Sequence, residues 1–222
     1  MNLETNYSII RRKVKHIRIL VNKDKEVKVI IPMKYPVSEL KSILEKREKW
    51  IKKKLEHFDK LKNNFFNISG NEILFLGKRY VFKLNSEMKN YYRIDEKEMK
   101  IYSGVDLLNI RLQEHWLRQE AERIIKERIS FINRDNRFKV NRIFIRNQKT
   151  KWGNCSSKGN ISFNWRLVKA PLEVVDYLII HELVHLEEMN HSKAYWEKVS
   201  QIYPNYKEAN KWLKKVGVGL FY

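Results

Sequence analysis

Three histidines and a glutamate lie close together in one stretch of the sequence, VVDYLIIHELVHLEEMNH, which spans residues 174–191. The spacing of His181 and His185 places both imidazoles on the same face of a helix, where they could bind one metal ion. Glu182 lies about 100° further round that helix, beside the ion rather than facing it. A general base for a metal-bound water molecule occupies such a position, so the stretch predicts hydrolytic chemistry at a metal ion.

His191 is the candidate for a third metal ligand. On a straight helix it would lie about 15 Å along the axis from His181, too far for a Zn–N bond of roughly 2 Å. We therefore expect the helix to end in a left-handed cap at Met189-Asn190, and Ser192 to cap the next helix. The spacing HExxHxxxxxH is typical of zinc peptidases with three histidine ligands. Glu188 stands where metzincins have a glycine, so this turn should differ from theirs.

The alternative is that the three histidines occupy a solvated helix end. The apolar residues that lead directly into His181-Glu182 argue against it, because a buried polar cluster needs partners. Among the remaining histidines, His16 and His57 have no partner at ligand spacing, and His115 lies between Glu114 and Trp116. We interpret all three as structural or surface residues.

The elements around the motif are predicted from their periodicity. A long amphipathic helix over residues 105–133 should pack against the metal-binding helix or a sheet. Strands within residues 140–168 should form a sheet, with a hairpin turn at 157–159 and a final strand that leads into the metal-binding helix. A strand in that place commonly borders the cleft and can accept an extended peptide, which favours a peptide substrate. Two helices separated at Pro204 should close over the site.

The N-terminal half is predicted to be mainly β. Residues 17–31 form a hairpin around a turn at 22–25, and a basic helix follows from Ser38, with Trp50 on its inner face. Further strands between residues 72 and 103 should join the hairpin in one antiparallel sheet. The predicted fold is therefore α+β, with an N-terminal region over 1–104 and a catalytic region over 105–222 that pack together. No GxxxxGK[ST] or GxGxxG pattern occurs, which disfavours a P-loop enzyme or a dinucleotide-binding domain.

The amino-acid composition limits the cellular compartment and the kinds of binding partner that we expect. The single cysteine, Cys155, excludes an intramolecular disulfide framework and is typical of a reducing compartment. No apolar run approaches the roughly 20 residues of a membrane span, so we expect a cytoplasmic protein without a membrane partner. The net charge of +20 favours either a polyanionic partner, such as nucleic acid or a nucleotide, or simply a solvated lysine-rich surface. No pattern indicates an oligomeric state.

Several motifs together resemble the YgjP-like metallopeptidase domain family. They are RNQKTKWGNCSS from Arg146, ISFNWRL from Ile161, HELVHL from His181, MNHSKAYW from Met189 and the earlier helix KREKWIKKKL from Lys46. The resemblance covers nearly the whole chain and is strongest after residue 140. It implies a zincin fold related to the SprT and WLM families, with an HExxH helix packed on a small sheet. It also implies Zn²⁺ bound by His181, His185 and His191, with Glu182 as catalytic acid/base.

The function predicted from these residues is zinc-dependent hydrolysis of peptide bonds in a peptide or protein substrate. A hydrolase of nucleotides, phosphoesters or pyrophosphate is the first alternative, because the same chemistry attacks phosphorus and the charge favours polyanions. A nucleic-acid-associated protein with structural zinc is the second alternative, although structural zinc sites usually contain cysteines. Cys155 is expected to be a small core residue, and Tyr203 and Tyr206 are candidates for oxyanion stabilisation that also suit the core.

Overall fold

The computed structural model describes residues 7–22, 25–64, 70–89 and 91–221 of the chain. The described elements include five α-helices and three small sheets, so the predicted α+β class is confirmed. The chain divides into two compact units after residue 67. The boundary that the sequence predicts, after residue 104, stays a prediction.

The first unit is a three-stranded sheet packed against one helix. Its elements are β1 (Tyr7–Arg12), β2 (Arg18–Val21), β3 (Val27–Pro32) and α1 (Leu40–Asn64). The predicted hairpin is confirmed, because β2 and β3 pair antiparallel, while β1 lies parallel on the other side of β3. Residues 23 and 24 of its turn lie outside the described residues. Sheet and helix share a core of Val27, Val29, Ile31, Leu40, Leu44 and Ile51.

The predicted inner face of α1 is wrong at one residue. Trp50 was expected on the inner face of α1, but its side chain is 40% exposed. The helical period explains this, because Trp50 precedes the buried Ile51 by one residue and is therefore turned about 100° away from it.

The second unit begins with a four-stranded sheet in the order β4-β5-β7-β6. Its strands are β4 (Glu72–Phe75), β5 (Lys78–Leu84), β6 (Tyr92–Asp95) and β7 (Lys100–Ser103). The prediction that these strands join the N-terminal hairpin in one antiparallel sheet is wrong, because the described strands form separate sheets and β5 pairs parallel with β7. Alternating apolar residues indicate a strand, but they do not specify its partner.

The long predicted helix is α2 (Ile110–Ile132), which begins at Asn109. The Asn109 side chain accepts hydrogen bonds from two N–H groups of the first turn, as a helix N-cap does. α2 packs against α3 (Leu172–Val184), which confirms the predicted contact between the long helix and the motif helix. Arg128 donates two hydrogen bonds of 2.7 Å to the carboxylate of Asp176, so a bidentate ion pair joins the two helices.

A three-stranded sheet precedes α3. It consists of β8 (Arg142–Arg146), β9 (Gly153–Cys155) and β10 (Asn160–Asn164). β9 and β10 form the predicted antiparallel hairpin, and β8 pairs parallel with β10 on its other side. The final strand is shorter than predicted, since Trp165–Lys169 forms a 3₁₀ segment.

The turn between β4 and β5 docks on the start of α3. Leu76 and Gly77 donate backbone hydrogen bonds of 2.8 and 3.1 Å to the carbonyls of Val168 and Lys169. Gly77 has φ of +76°, and a Cβ there would lie within 3.0 Å of Pro171. Only glycine satisfies both the left-handed conformation and this approach. The four-stranded sheet is therefore attached to the N-terminus of the motif helix.

The chain ends with α4 (Lys193–Ile202), α5 (Tyr206–Lys215) and a short 3₁₀ segment. Both helices pack against α3, as the pattern around Pro204 predicts. Among the described residues, no helix is both long and apolar enough to cross a membrane.

Candidate metal centre

Helix α3 carries the motif at its C-terminal end. Its apolar residues are buried on nearly all sides, with Val175, Ile179 and Leu183 fully inaccessible. Continuous burial fixes the helix rigidly and leaves His181 and Glu182 in its last turn and His185 as its C-cap.

The end of the helix differs from the prediction. We expected a left-handed cap at Met189-Asn190, but α3 stops at Val184 and Asn190 is not among the described residues with positive φ. The chain then turns tightly, with the N–H groups of residues 186–188 donating to the carbonyls of residues 183 and 184. Ser192 caps α4 as predicted, by accepting a hydrogen bond from the N–H of Tyr195. This turn returns His191 to the helix end.

The three predicted metal ligands converge. One ring nitrogen from each of His181, His185 and His191 lies within 4.8 Å of the others. The Nε2 atoms of His181 and His191 are 3.2 Å apart. Two ligands on a tetrahedral zinc ion, at Zn–N distances of about 2.0–2.1 Å, would be separated by roughly 3.3 Å. The spacing therefore fits a single ion.

The protonation of the rings also fits metal binding. Nδ1 of His185 lies 2.9 Å from the carbonyl oxygen of Glu188. Since a carbonyl only accepts, this Nδ1 carries the proton and Nε2 is left with a free lone pair. Burial, followed by the charges of His185 and His191, lowers the pKa of His181 to about 3. His181 is therefore neutral at pH 7, as a metal ligand has to be.

Two aromatic residues of α4 hold the histidine rings. The hydroxyl of the fully buried Tyr195 donates a hydrogen bond of 2.9 Å to the carbonyl of His181. The Tyr195 ring also stacks on His185, with ring centroids 4.6 Å apart. Trp196 stacks on His191 at 5.6 Å. No local spacing in the sequence indicates this role for Tyr195 and Trp196.

Glu182 is buried beside the histidines, with an exposed fraction of 4%. Burial raises the pKa of its carboxyl to about 8, although the nearby Lys151 acts in the opposite direction. Gly153 of β9 lies directly against this side chain. A Cβ at Gly153 would come within 2.8 Å of both Cγ and Cδ of Glu182. The absence of a side chain at residue 153 thus makes room for the carboxylate.

The strand beside Glu182 is not the one that was predicted. We expected the last strand before α3 to border the cleft, but β10 lies in the middle of its sheet, between β8 and β9. β9 pairs with β10 on one side only, which makes β9 an edge strand. The sequence could not reveal this order, because β9 has only three residues and β10 alone has strong strand character.

A pocket of about 370 Å³ opens beside His181 and Glu182, between α3, α5 and the β9 region. Its remaining lining residues are Lys151, Trp152, Gly153, Tyr177, Leu178, Asn210, Leu213 and Lys214. Lys151, Trp152 and Gly153 lie within the motif RNQKTKWGNCSS, in which no local spacing indicates a role for them.

The other candidate residues lie outside the histidine cluster, which is the only group of three or more metal-binding side chains in the described parts of the chain. Cys155 is half-buried, and burial together with the charge of Glu182 raises the pKa of its thiol to about 11. Tyr203 donates a hydrogen bond to the carbonyl of Glu173, in the first turn of α3. Tyr206 stacks on Trp196 at 5.4 Å.

Comparisons with known proteins bear on the family to which this chain belongs. A comparison with curated proteins finds no match. A solved structure similar to part of the chain is the metallopeptidase zymogen of Pyrococcus abyssi abylysin. It is 23% identical, with a TM-score of 0.38, and covers 42% of this chain and 95% of its own. The YgjP-like metallopeptidase domain matches residues 15–216, nearly the whole sequence, and this chain belongs to the YgjP-like metallopeptidase domain family.

Proposed function

We propose that this chain is a zinc-dependent peptidase with a zincin-like catalytic region. His181, His185 and His191 would hold the zinc ion, and Glu182 would act as the general base. The observation that carries the proposal is the convergence of three imidazole nitrogens within 4.8 Å of one another, next to a buried carboxylate in an open pocket. A catalytic zinc site has three protein ligands and leaves one position open, and this donor set satisfies that requirement.

Zinc is the ion that these ligands favour, because three neutral imidazoles without a thiolate are typical of catalytic zinc sites. When bound, zinc supplies an activated water molecule and a Lewis acid for the carbonyl of the scissile bond. The chain supplies the proton transfer. Glu182 takes a proton from the attacking water and returns it to the leaving amine. The positive charge of a bound zinc ion would lower the raised pKa of this buried carboxyl and so favour the carboxylate form that a base requires.

The peptide would bind along the outer edge of β9. An edge strand offers unpaired backbone groups, and an extended peptide can add to it as a further strand. β9 is such an edge and lies against Glu182 through Gly153. A peptide in this position would present its backbone carbonyl close to the histidines, which supports a peptide rather than a compact small molecule as substrate.

The test is hydrolysis of a peptide mixture by the zinc-loaded protein, with new amino termini measured by labelling and mass spectrometry. We expect cleavage by the wild type and a loss of at least about 10³-fold in the Glu182→Gln variant, which removes the base but keeps the shape. Glu122→Gln is the matched control, because Glu122 is an exposed residue of α2 in an ion pair with Lys126. Undiminished cleavage by Glu182→Gln would overturn the assignment of the base.

One observation favours a second candidate function, a metal-dependent nucleotide or phosphoester hydrolase. The chain carries a net charge of +20, which attracts polyanions. The same zinc-loaded protein should therefore be incubated with nucleoside triphosphates and a short oligonucleotide. Release of phosphate or pyrophosphate that depends on Glu182, without new amino termini from peptides, would replace the peptidase proposal by this one.

A further inference from the structure

The pocket beside Glu182 has an apolar interior and a cationic rim. Trp152, Tyr177, Leu178 and Leu213 contribute the apolar surface, and all but Trp152 belong to α3 or α5. Lys151 and Lys214 approach the pocket from opposite elements, the segment before β9 and the last turn of α5. Because His181 and Glu182 line the same pocket, a group bound there lies next to the reacting atoms.

Neither Lys151 nor Lys214 forms an ion pair with an acidic side chain in the described part of the chain. By contrast, Lys198 near the same site contacts both Glu187 and Glu188. Among the described residues that line the pocket, Glu182 alone is acidic. The rim therefore has positive charge that a ligand could neutralise.

The exposed side of α5 extends this charge. Lys207 and Lys211 are exposed on the same helix as Lys214, and Glu208 is its one acidic residue. A cleft bordered by charge of one sign concentrates ligands of the opposite sign. Lys214 at the pocket is thus one of several exposed cations on α5.

The size and polarity of the pocket limit the kinds of ligand that it can bind. A volume of about 370 Å³ is near the lower end of the roughly 300–1,000 Å³ range of ligand pockets, enough for one or two amino-acid residues. A nucleic-acid backbone would need a longer groove with cations along it. A pocket with an apolar interior and a cationic rim can bind a short aliphatic chain that ends in an anionic group.

We propose that this pocket selects peptides with a carboxylate next to the scissile bond, held by Lys151 and Lys214 while the aliphatic stem contacts Leu178 and Leu213. This inference rests on the proposed peptidase function. The carboxylate has two possible sources, an internal glutamate side chain or the free C-terminus of the substrate. Both present the same group to the lysines.

The experiment measures binding first, so that it does not depend on turnover. Zinc-loaded Glu182→Gln protein is titrated with fluorescein-labelled eight-residue peptides of glycine, alanine and serine, amidated at the C-terminus, with one central Glu, Gln, Leu or Lys. We expect the Glu peptide to bind about tenfold more tightly than the Gln peptide, as two partly solvated ion pairs would produce. A second pair of peptides, with a free or an amidated C-terminus and no Glu, separates the two sources of carboxylate.

Lysine variants link the preference to the pocket. Lys151→Ala combined with Lys214→Ala should abolish the preference for Glu over Gln, and the double substitution to Glu should favour the Lys peptide. Lys158→Ala with Lys193→Ala is the control, since both residues are exposed and lie outside this pocket. With active wild type, the same preference should appear mainly in KM.

Two outcomes would overturn the inference. One is equal binding of the Glu, Gln and Leu peptides. The other is displacement of the Glu peptide by a single-stranded oligonucleotide with steep salt dependence through the same lysines, which would make the pocket part of a nucleic-acid surface. Absence of cleavage of any peptide by wild type would instead reject the proposed function, and the binding result would still stand.

Discussion

Gly153 lies against Glu182 so closely that no other residue could occupy its place without moving the carboxylate. A Cβ at Gly153 would approach Cγ and Cδ of Glu182 to 2.8 Å, shorter than van der Waals contact. Because Gly153 belongs to an edge strand and Glu182 to the last turn of α3, the glycine fixes the distance between β9 and the Glu182 carboxylate.

We predict that Gly153→Ala lowers peptide hydrolysis by about 10²-fold, since a displacement of about 1 Å in a catalytic group has that effect. Zinc content should be unchanged, because the alanine methyl group pushes on Glu182 and not on the histidines. Gly70→Ala is the control, since a Cβ at Gly70 would meet nothing within 4 Å. Steady-state kinetics and elemental analysis of both variants provide the test. Full activity in Gly153→Ala would show that Glu182 tolerates displacement.

We predict that His191→Ala removes most of the bound zinc, whereas His115→Ala retains it. His191 contributes one of the three converging nitrogens, while His115 is an exposed residue of α2 outside the cluster. A site reduced to two imidazoles loses much of its affinity, because metal binding needs the full ligand set. Elemental analysis after dialysis against dilute chelator measures the difference. Equal zinc in both variants would exclude His191 as a ligand.

We predict that Tyr195→Phe lowers the free energy of unfolding by about 1–2 kcal/mol, because it removes the part-buried hydrogen bond to the carbonyl of His181. The stacking on His185 does not need the hydroxyl, so zinc affinity should change little. Tyr203→Phe removes a similar but more exposed hydrogen bond to Glu173 and should have a smaller effect. Urea unfolding of both variants, after a chelator has removed any bound metal, compares their losses in free energy of unfolding. A smaller loss for Tyr195→Phe than for Tyr203→Phe would contradict this ranking.

We predict a pH-dependent contribution from Glu187. The hydrogen bond from Arg137, assisted by Lys198, lowers the Glu187 pKa from 4.5 to about 2. A carboxyl with a lowered pKa in the folded state stabilises the protein above its unfolded pKa and loses that effect as pH falls from 4.5 towards 2. Glu187→Gln should therefore destabilise the chelated protein by about 1 kcal/mol at pH 7, a modest value because both partners are partly exposed.

The stabilities of wild type and Glu187→Gln should differ less at acidic pH. Urea unfolding at pH 7 and pH 3 would show the difference between wild type and Glu187→Gln shrinking to less than half. A difference that stays constant between the two pH values would mean that the ion pair with Arg137 does not control this carboxyl.

Local patterns were sufficient to predict α1, α2 and the helix with His181 and Glu182, because each is a long amphipathic or buried apolar segment. The hairpins at residues 18–32 and 153–164 also followed from alternation and turn residues. The sheet to which each strand belongs could not be predicted in this way, because the parallel pairings of β1 with β3 and of β5 with β7 join strands that are separated in sequence.

The same contrast between local patterns and contacts distant in sequence applies to the candidate site. His181, Glu182, His185 and His191 were predicted as site residues from their spacing alone. Gly153, Lys151 and Lys214 were missed, because they reach the pocket through β9 and α5, and no local spacing relates them to the motif. The true end of α3 was missed as well, since the tight turn after Val184 uses backbone hydrogen bonds that any residue can form.

The docking of Leu76-Gly77 on the 3₁₀ segment and Pro171 limits how the chain can be shortened. A fragment that starts at residue 105 would remove the backbone donors to Val168 and Lys169 and uncover Pro171. Those carbonyls would then need water, and the N-terminus of α3 would lose a neighbour that holds it in place. The smallest fragment that folds with the histidine cluster is therefore expected to begin near residue 70, because the four-stranded sheet and α3 stabilise each other.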